Sequence, residues 1–178
     1  MEKPKKKKIL FTGPPGCGKS TLIEKIVLMI KGPITGFLTR EMRERGQRVG
    51  FSINTLDGKQ GVLAHKNIKG HYRVGKYGVN LEDIDRIAVP SMIPVSEDMI
   101  VVIDEIGKME CFSPLFRDTV LQVLYSKHPV LGSIPLRGGP FIGEIKKRKD
   151  VLLIWVSEKN KDSLVNQIVE RMTGLISL

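Results

Sequence analysis

The chain has 178 residues, 41% hydrophobic and 27% charged, the make-up of one water-soluble globular domain spanning residues 1–178 rather than of a disordered or membrane protein. Its longest apolar runs, "MIVVI" and "VLLIWV", fall far short of the roughly 20 residues that cross a bilayer, and no export or anchoring signal is visible. A net charge of +10 leaves room for a polyanionic partner, while two cysteines, Cys17 and Cys111, are too few for a disulfide framework, so free thiols in a reducing cytoplasm are expected.

In chain order, Lys8 to Thr12, "KILFT", reads as a short buried strand. From Lys19 the pattern turns helical: Leu22, Ile23, Ile26, Val27 and Ile30 share one face, and Gly32 with Pro33 supplies the stop. The following stretch, "GFLTREMRERGQRVGFSINTLDGKQGVLAH", alternates apolar and polar residues around two turn-forming segments, which predicts a β-hairpin and a third strand near Val62 to Ala64. Between Ile68 and Pro94, "YRV" reads as a strand and "NLEDIDRIA" as a short helix. "MIVVIDE" is a buried strand ending on two acids. Ser113 and Pro114 then form an N-cap and first-turn pair, after which Leu115, Phe116, Thr119, Val120, Val123 and Leu124 keep one apolar helix face. "VLGSI" is predicted as strand, Gly143 to Lys149 as helix and "VLLIWV" as strand, with Leu164, Ile168 and Met172 on the core side of a last helix. Strands alternating with helices at both ends imply parallel crossovers and a covered α/β sheet, with the hairpin as an insertion or edge extension.

Between the first strand and the first helix stands "GPPGCGKST", Gly13 to Thr21. Gly13, Gly18, Lys19 and Ser20 satisfy GxxxxGKS in the strand-to-helix context that makes the pattern a phosphate-binding P-loop. Glycines let successive amides wrap an anion, and the helix adds its positive end. The nucleotide-binding candidates are Gly13, Pro14, Pro15, Gly16, Cys17, Gly18, Lys19, Ser20 and Thr21. Lys19 is placed to reach the outer phosphates and Ser20 to ligate Mg²⁺. A Gly/Pro-rich turn needs no ligand, but such a turn does not ask for lysine and serine at the helix start. Cys17 offers either an oxidisable thiol or simply a small side chain that fits, and receives no role.

Asp104 sits at the carboxyl end of a buried strand, where open α/β sheets bind ligands, and is the candidate acid for Mg²⁺. Its neighbour Glu105 is the candidate catalytic group that activates water against a terminal phosphate, alongside Lys19. A group that positions water favours hydrolysis over kinase chemistry. Arg40, Arg43, Arg45, Arg48 and Arg137 form a pool from which a charge-neutralising arginine can come, without singling one out. His65, His71 and His128 show no ligand spacing. The lysines at positions 3 and 5 to 8 and the run "KKRK", Lys146 to Lys149, read as solvated charge, since no aromatic residues interleave with them.

With both sites read, the chain resembles a nucleoside-triphosphatase family first described from thermophiles and extending to the vertebrate cancer-related nucleoside-triphosphatase. The resemblance is carried by "GPPGCGKST", by "GFLTREMRERGQRVGF" and above all by "DEIGKME", Asp104 to Glu110. It implies a RecA-like P-loop NTPase fold and slow, Mg²⁺-dependent hydrolysis of several nucleoside triphosphates to diphosphate and phosphate, with weak base selectivity. The chain also lacks an NKxD guanine-reading pattern. Two other readings are carried forward: a nucleotide or small-molecule kinase with an acceptor lid, and a nucleotide-controlled nucleic-acid-binding module. A monomer is expected in preference to an oligomer.

Overall fold

The computed structural model describes residues 6–176. The first strand, β1 (Lys8–Thr12), leads through the P-loop into helix α1 (Lys19–Met29). Next come β2 (Ile34–Glu44), β3 (Gln47–Thr55), β4 (Gln60–His65), β5 (Arg73–Val74) and β6 (Tyr77–Val79). A continuous helical run follows, in which α2 (Leu81–Asp83) and α3 (Val89–Ser91) flank a π-helical stretch, Ile84–Ala88. The remainder alternates: β7 (Ile100–Ile103), α4 (Pro114–Tyr125), β8 (Val130–Ser133), α5 (Pro140–Lys147), β9 (Val151–Trp155) and α6 (Lys161–Ile176).

All of these strands join one nine-stranded sheet in the order β5-β6-β4-β3-β2-β7-β8-β1-β9. From β2 to β9 every pairing is parallel, and from β2 to β5 every pairing is antiparallel. The expected hairpin is present, but its first strand is also a member of the parallel core, and the extension continues through β4, β6 and β5. Strand β6, "YGV", was not expected, because three residues around a glycine carry too little periodicity to register.

The alternation of β1 shows how the core is divided. Ile9 and Phe11 enter a layer with Leu22, Ile23 and Ile26 of α1 and Ile168 and Met172 of α6, while Leu10 enters the opposite layer with Phe116 of α4 and Ile142 of α5. Helices therefore cover both faces of the parallel half, which explains why its strands read as unbroken apolar runs.

Two expectations are corrected. Leu115 does not join the apolar face of α4: it is 48% exposed, while Phe116, one residue on and so turned by about 100° round the helix, is buried with Thr119, Val120, Val123 and Leu124. Lys8 is not solvated: its Nζ donates to the carbonyls of Val123 (3.2 Å), Ser126 (2.9 Å) and His128, closing the end of α4. Burial lowers its pKa to about 8. Of the other N-terminal lysines, Lys3 and Lys5 lie outside the described residues. In the second basic run Lys146 donates to the Leu136 carbonyl, Lys147 pairs with Glu144 and Arg148 with Asp150, so much of that charge is already engaged.

Candidate active site

The register of the parallel strands assembles the site. β8 lies between β7 and β1, with Ile103 opposite Gly132 and Phe11 opposite Ser133. The chain therefore leaves these three strands side by side, delivering Asp104, Ser133 and the P-loop to the same edge. This is the carboxyl edge, where crossover connections leave a crevice.

Gly18 forms the junction between loop and helix. Its φ of 96° lies in the left-handed region that side chains avoid, and it caps α1 without a side-chain hydrogen bond, so the first amides of the helix stay available to an anion. Lys19 folds back over the loop, its Nζ donating to the carbonyls of Gly13 (3.2 Å) and Pro14 (3.3 Å). Pro15, Gly16, Gly18, Lys19, Ser20 and Thr21 form part of the wall of a cleft of about 620 Å³. Gly13, Pro14 and Cys17 are not in that wall. Cys17 is buried against the α1–α6 layer, and its amide donates to the Pro14 carbonyl (3.2 Å), so it shapes the loop from behind. A small side chain that fits is the better description of it than an accessible thiol.

Ser20 and Asp104 meet: the hydroxyl of Ser20 donates to Oδ1 of Asp104 at 3.0 Å. Ser133 donates to the same oxygen at 2.7 Å. The other oxygen, Oδ2, is buried and has no hydrogen-bond partner among the described residues, an orphaned carboxylate oxygen of the kind a further ligand would satisfy. Burial pushes the Asp104 carboxyl above its usual range, and the Ser133 and Ser20 hydroxyls draw it part of the way back.

Glu105 lines the cleft. It is pushed up by burial and by the adjacent Asp104 charge, against the pull of Lys19. Glu110 lines the same cleft although its residue is only 4% exposed, and it has no salt-bridge partner among the described residues. Burial first, and Glu105 second, carry its carboxyl well above the usual glutamate range. The two acids crowd Gly107: a Cβ there would stand 2.6 Å from Oε2 of Glu110 and 2.8 Å from Oε1 of Glu105. A glycine at this position is what allows both carboxyls to turn inward.

The arginine pool separates. Arg40 and Arg48 line the cleft, whereas Arg43, Arg45 and Arg137 do not. Arg40 is held by Glu24 of α1, its Nε donating at 2.8 Å. Arg43 is occupied at the β2–β3 turn by Glu41 and the Gly46 carbonyl. Among the described residues no group of three or more His, Cys, Asp or Glu side chains is arranged to hold a metal ion, and the histidines are scattered.

Sequence reasoning missed Ser133, Glu110 and the aromatic end of the cleft. Ser133 carried the same signal as Asp104, a polar residue ending a buried strand. Glu110 closes "DEIGKME", where an acid's residue type alone does not tell a buried carboxyl from a surface one. Phe51 and Tyr77 had no signal, since only the pairing of β3, β4 and β6 brings them together.

A protein-family model described as NTPase matches residues 8–169. The chain belongs to this NTPase family. It is similar to the nucleoside-triphosphatase THEP1 of Thermotoga sp. (strain RQ2), 45% identical over 91% of this chain and 93% of that protein. The cancer-related nucleoside-triphosphatase of Homo sapiens is 39% identical over 90% of this chain and 94% of its own length. The family's fold is shared as well: the crystal structure of THEP1 from Aquifex aeolicus aligns with a TM-score of 0.85 at 35% identity, covering 93% of this chain and 98% of that one. The family resemblance read from the three motifs is thereby established, as is the P-loop NTPase-like α/β fold.

Proposed function

We propose that the chain is a nucleoside-triphosphatase that hydrolyses the terminal phosphoanhydride of several nucleoside triphosphates, giving diphosphate and phosphate, with Mg²⁺ as cofactor. The names of its family relatives support the activity. The observation that carries the reading for this chain is the convergence of Lys19, Ser20 and Glu105 on one cleft, with Asp104 buried behind Ser20 and bonded to its hydroxyl. In that cleft the backbone amides of Gly16 and of Gly18 to Thr21, with the positive end of α1, hold the phosphate chain. Lys19 exchanges two backbone carbonyls for phosphate oxygens. Glu105 orients a water molecule and takes its proton, a role suited to a carboxyl raised towards neutrality.

The residues present fit Mg²⁺. Ser20 offers a hydroxyl oxygen, and Asp104 offers the unpartnered Oδ2, directly or through water, a sparse protein contribution typical of an ion that also binds phosphate. When bound, the ion would neutralise charge building on the phosphates. Ser133 keeps Asp104 turned for this by occupying Oδ1.

Phosphate release measured across ATP, GTP, CTP and UTP tests the reading with wild type, Lys19→Ala and Glu105→Gln, each with and without Mg²⁺. The lysine change is expected to weaken both nucleotide binding and turnover. The glutamate change is expected to spare binding while suppressing turnover, and removal of Mg²⁺ to abolish release. Equal activity in all three proteins would sink the assignment.

A further inference from the structure

The cleft is larger than a phosphate site needs. One end is walled by Lys19, Ser20 and Glu105, and the other by Phe51, Leu63, Val74 and Met109. The first end accounts for a triphosphate tail. Hydrolysis has no use for the second, since water claims only about 30 Å³ and an apolar wall gives it nothing to bind. The cleft as a whole, about 620 Å³, has room for an organic group beside the phosphates.

The apolar end is a built feature. Phe51 meets Tyr77 edge to face with ring centroids 5.3 Å apart. Arg48 lies over the Phe51 ring at 5.2 Å and is fixed by the Tyr77 hydroxyl (3.0 Å) and by Glu41 (2.9 Å). Its guanidinium is thus committed to the wall, as Arg40 is to Glu24. Both cleft arginines are ion-paired, and the other charged side chains near Met109 in the wall, Lys108, Glu105 and Glu110, carry both signs, so this aromatic and aliphatic end favours a ring-bearing ligand without net charge over an anionic one.

We propose that this alcove binds a second substrate, an uncharged alcohol carrying a flat ring, and that the protein transfers the terminal phosphoryl group to its hydroxyl, water taking that place when the alcove is empty. The proposal rests on the triphosphate placement and the Glu105 role given above. In the step, the alcohol oxygen forms a bond to the γ-phosphorus while the bond from that phosphorus to the β–γ bridging oxygen breaks. The bridging oxygen leaves with the electron pair on the diphosphate, and the hydroxyl proton passes to the Glu105 carboxylate. Glu105 would thus serve one chemistry with two acceptors, and the alcove decides which acceptor is present.

The test incubates the protein with Mg²⁺ and γ-labelled ATP in the presence of millimolar adenosine, guanosine, cytidine, uridine or benzyl alcohol, and separates phosphate monoester from inorganic phosphate. At least one probe is expected to yield monoester at the expense of phosphate. Val74→Trp, which fills the alcove from the short strand β5, is expected to cut the monoester-to-phosphate ratio about tenfold or more, with KM for ATP within about twofold of wild type. Phosphate without monoester from every probe overturns the acceptor site and leaves the hydrolytic reading standing, whereas neither product overturns both. A Val74→Trp protein whose main defect is a raised KM for ATP would give the alcove to the donor's own base, and would also overturn the proposal.

Discussion

The two halves of the sheet are built differently. In the parallel half, β1, β7 and β8 are buried along their whole length, between neighbours on both sides and helices on both faces. In the antiparallel half, β3 mixes buried with half-exposed positions, β5 and β6 have two and three residues, and the pairing slips at Met42–Arg43 and at Phe51–Ser52. The residues proposed to do chemistry leave the carboxyl ends of the rigid half, whereas Phe51, Leu63 and Val74, which shape the far end of the cleft, come from the other. The contrast suggests a division of labour in which one half fixes the phosphate and the other determines what stands beside it. Strand breaks next to the cleft suit that role, because a bulge re-aims side chains without disturbing the rest of the sheet.

The contrast predicts a gradient of effects. The largest is expected at the end of β7: Glu105→Gln should lower turnover about a hundred- to ten-thousandfold, the usual worth of a general base, while leaving the thermal midpoint close to wild type. Steady-state phosphate release and a melting curve on the same preparation check both halves of this statement. A protein that lost activity only by unfolding would remove Glu105 from the mechanism.

Packing should show the same asymmetry. Phe116 is fully buried against Phe37, with centroids 6.1 Å apart, so Phe116→Ala is expected to cost about 3–5 kcal/mol. Phe51→Ala removes a ring that is only partly buried and should cost about 1–2 kcal/mol. Chemical denaturation of the two variants compares them directly, and equal losses would mean that the antiparallel half is as tightly integrated as the parallel one.

Glu110 lines the cleft, and its energetics carry a definite sign. An unfolded chain would ionise this carboxyl near 4.5, whereas the folded protein retains the proton to higher pH. Above that point the native state binds more protons than the unfolded state, so the group's contribution falls as pH rises through its folded pKa. Glu110→Gln keeps the shape of the neutral acid and avoids this loss. The variant should therefore be more stable than wild type at neutral pH, by a margin that shrinks as pH falls towards 4.5. Denaturation midpoints from pH 5 to 8 are the measurement, and a constant difference would show that the folded protein holds Glu110 ionised across that window, as the unfolded chain does.

Much of the parallel half was legible in the sequence because its signals are local. "KILFT" is buried on both faces, and "VLLIWV" is as apolar although it forms the edge strand β9 with Leu153 and Trp155 exposed, so brevity and continuous apolarity sufficed for both, and the P-loop announces itself through residue types that a plain turn does not need. Asp104 was legible as an acid ending such a strand. The antiparallel half was legible as strands but not as a cavity. Arg48 and Tyr77 are separated along the chain, and only the β3–β4–β6 pairing brings the guanidinium to the phenol. Lys8 failed for a different reason: a lysine run reads as solvated charge, and nothing local reveals that one member lies against the open carbonyls of α4. The structure divided the arginine pool by the same non-local logic, turning Arg43 into the β2–β3 turn and leaving Arg40 at the cleft.

The smallest expected effect concerns that last residue. Arg40 and Glu24 form an ion pair whose side chains are 61% and 37% exposed, so solvent screening limits its worth, and Glu24→Gln should change stability by no more than about 0.5 kcal/mol. Its consequence for binding should be easier to see. With Glu24 neutral, the Arg40 guanidinium is free to turn towards a triphosphate in the cleft it already lines, and affinity should rise about two- to fivefold at low salt. The gain should fade as ionic strength increases, since it is an attraction between a largely exposed cation and a polyanion. Titration with a non-cleavable triphosphate at two salt concentrations separates this from a structural effect: a gain indifferent to salt would show that Glu24 acts on the shape of α1 and that Arg40 does not reach the phosphates.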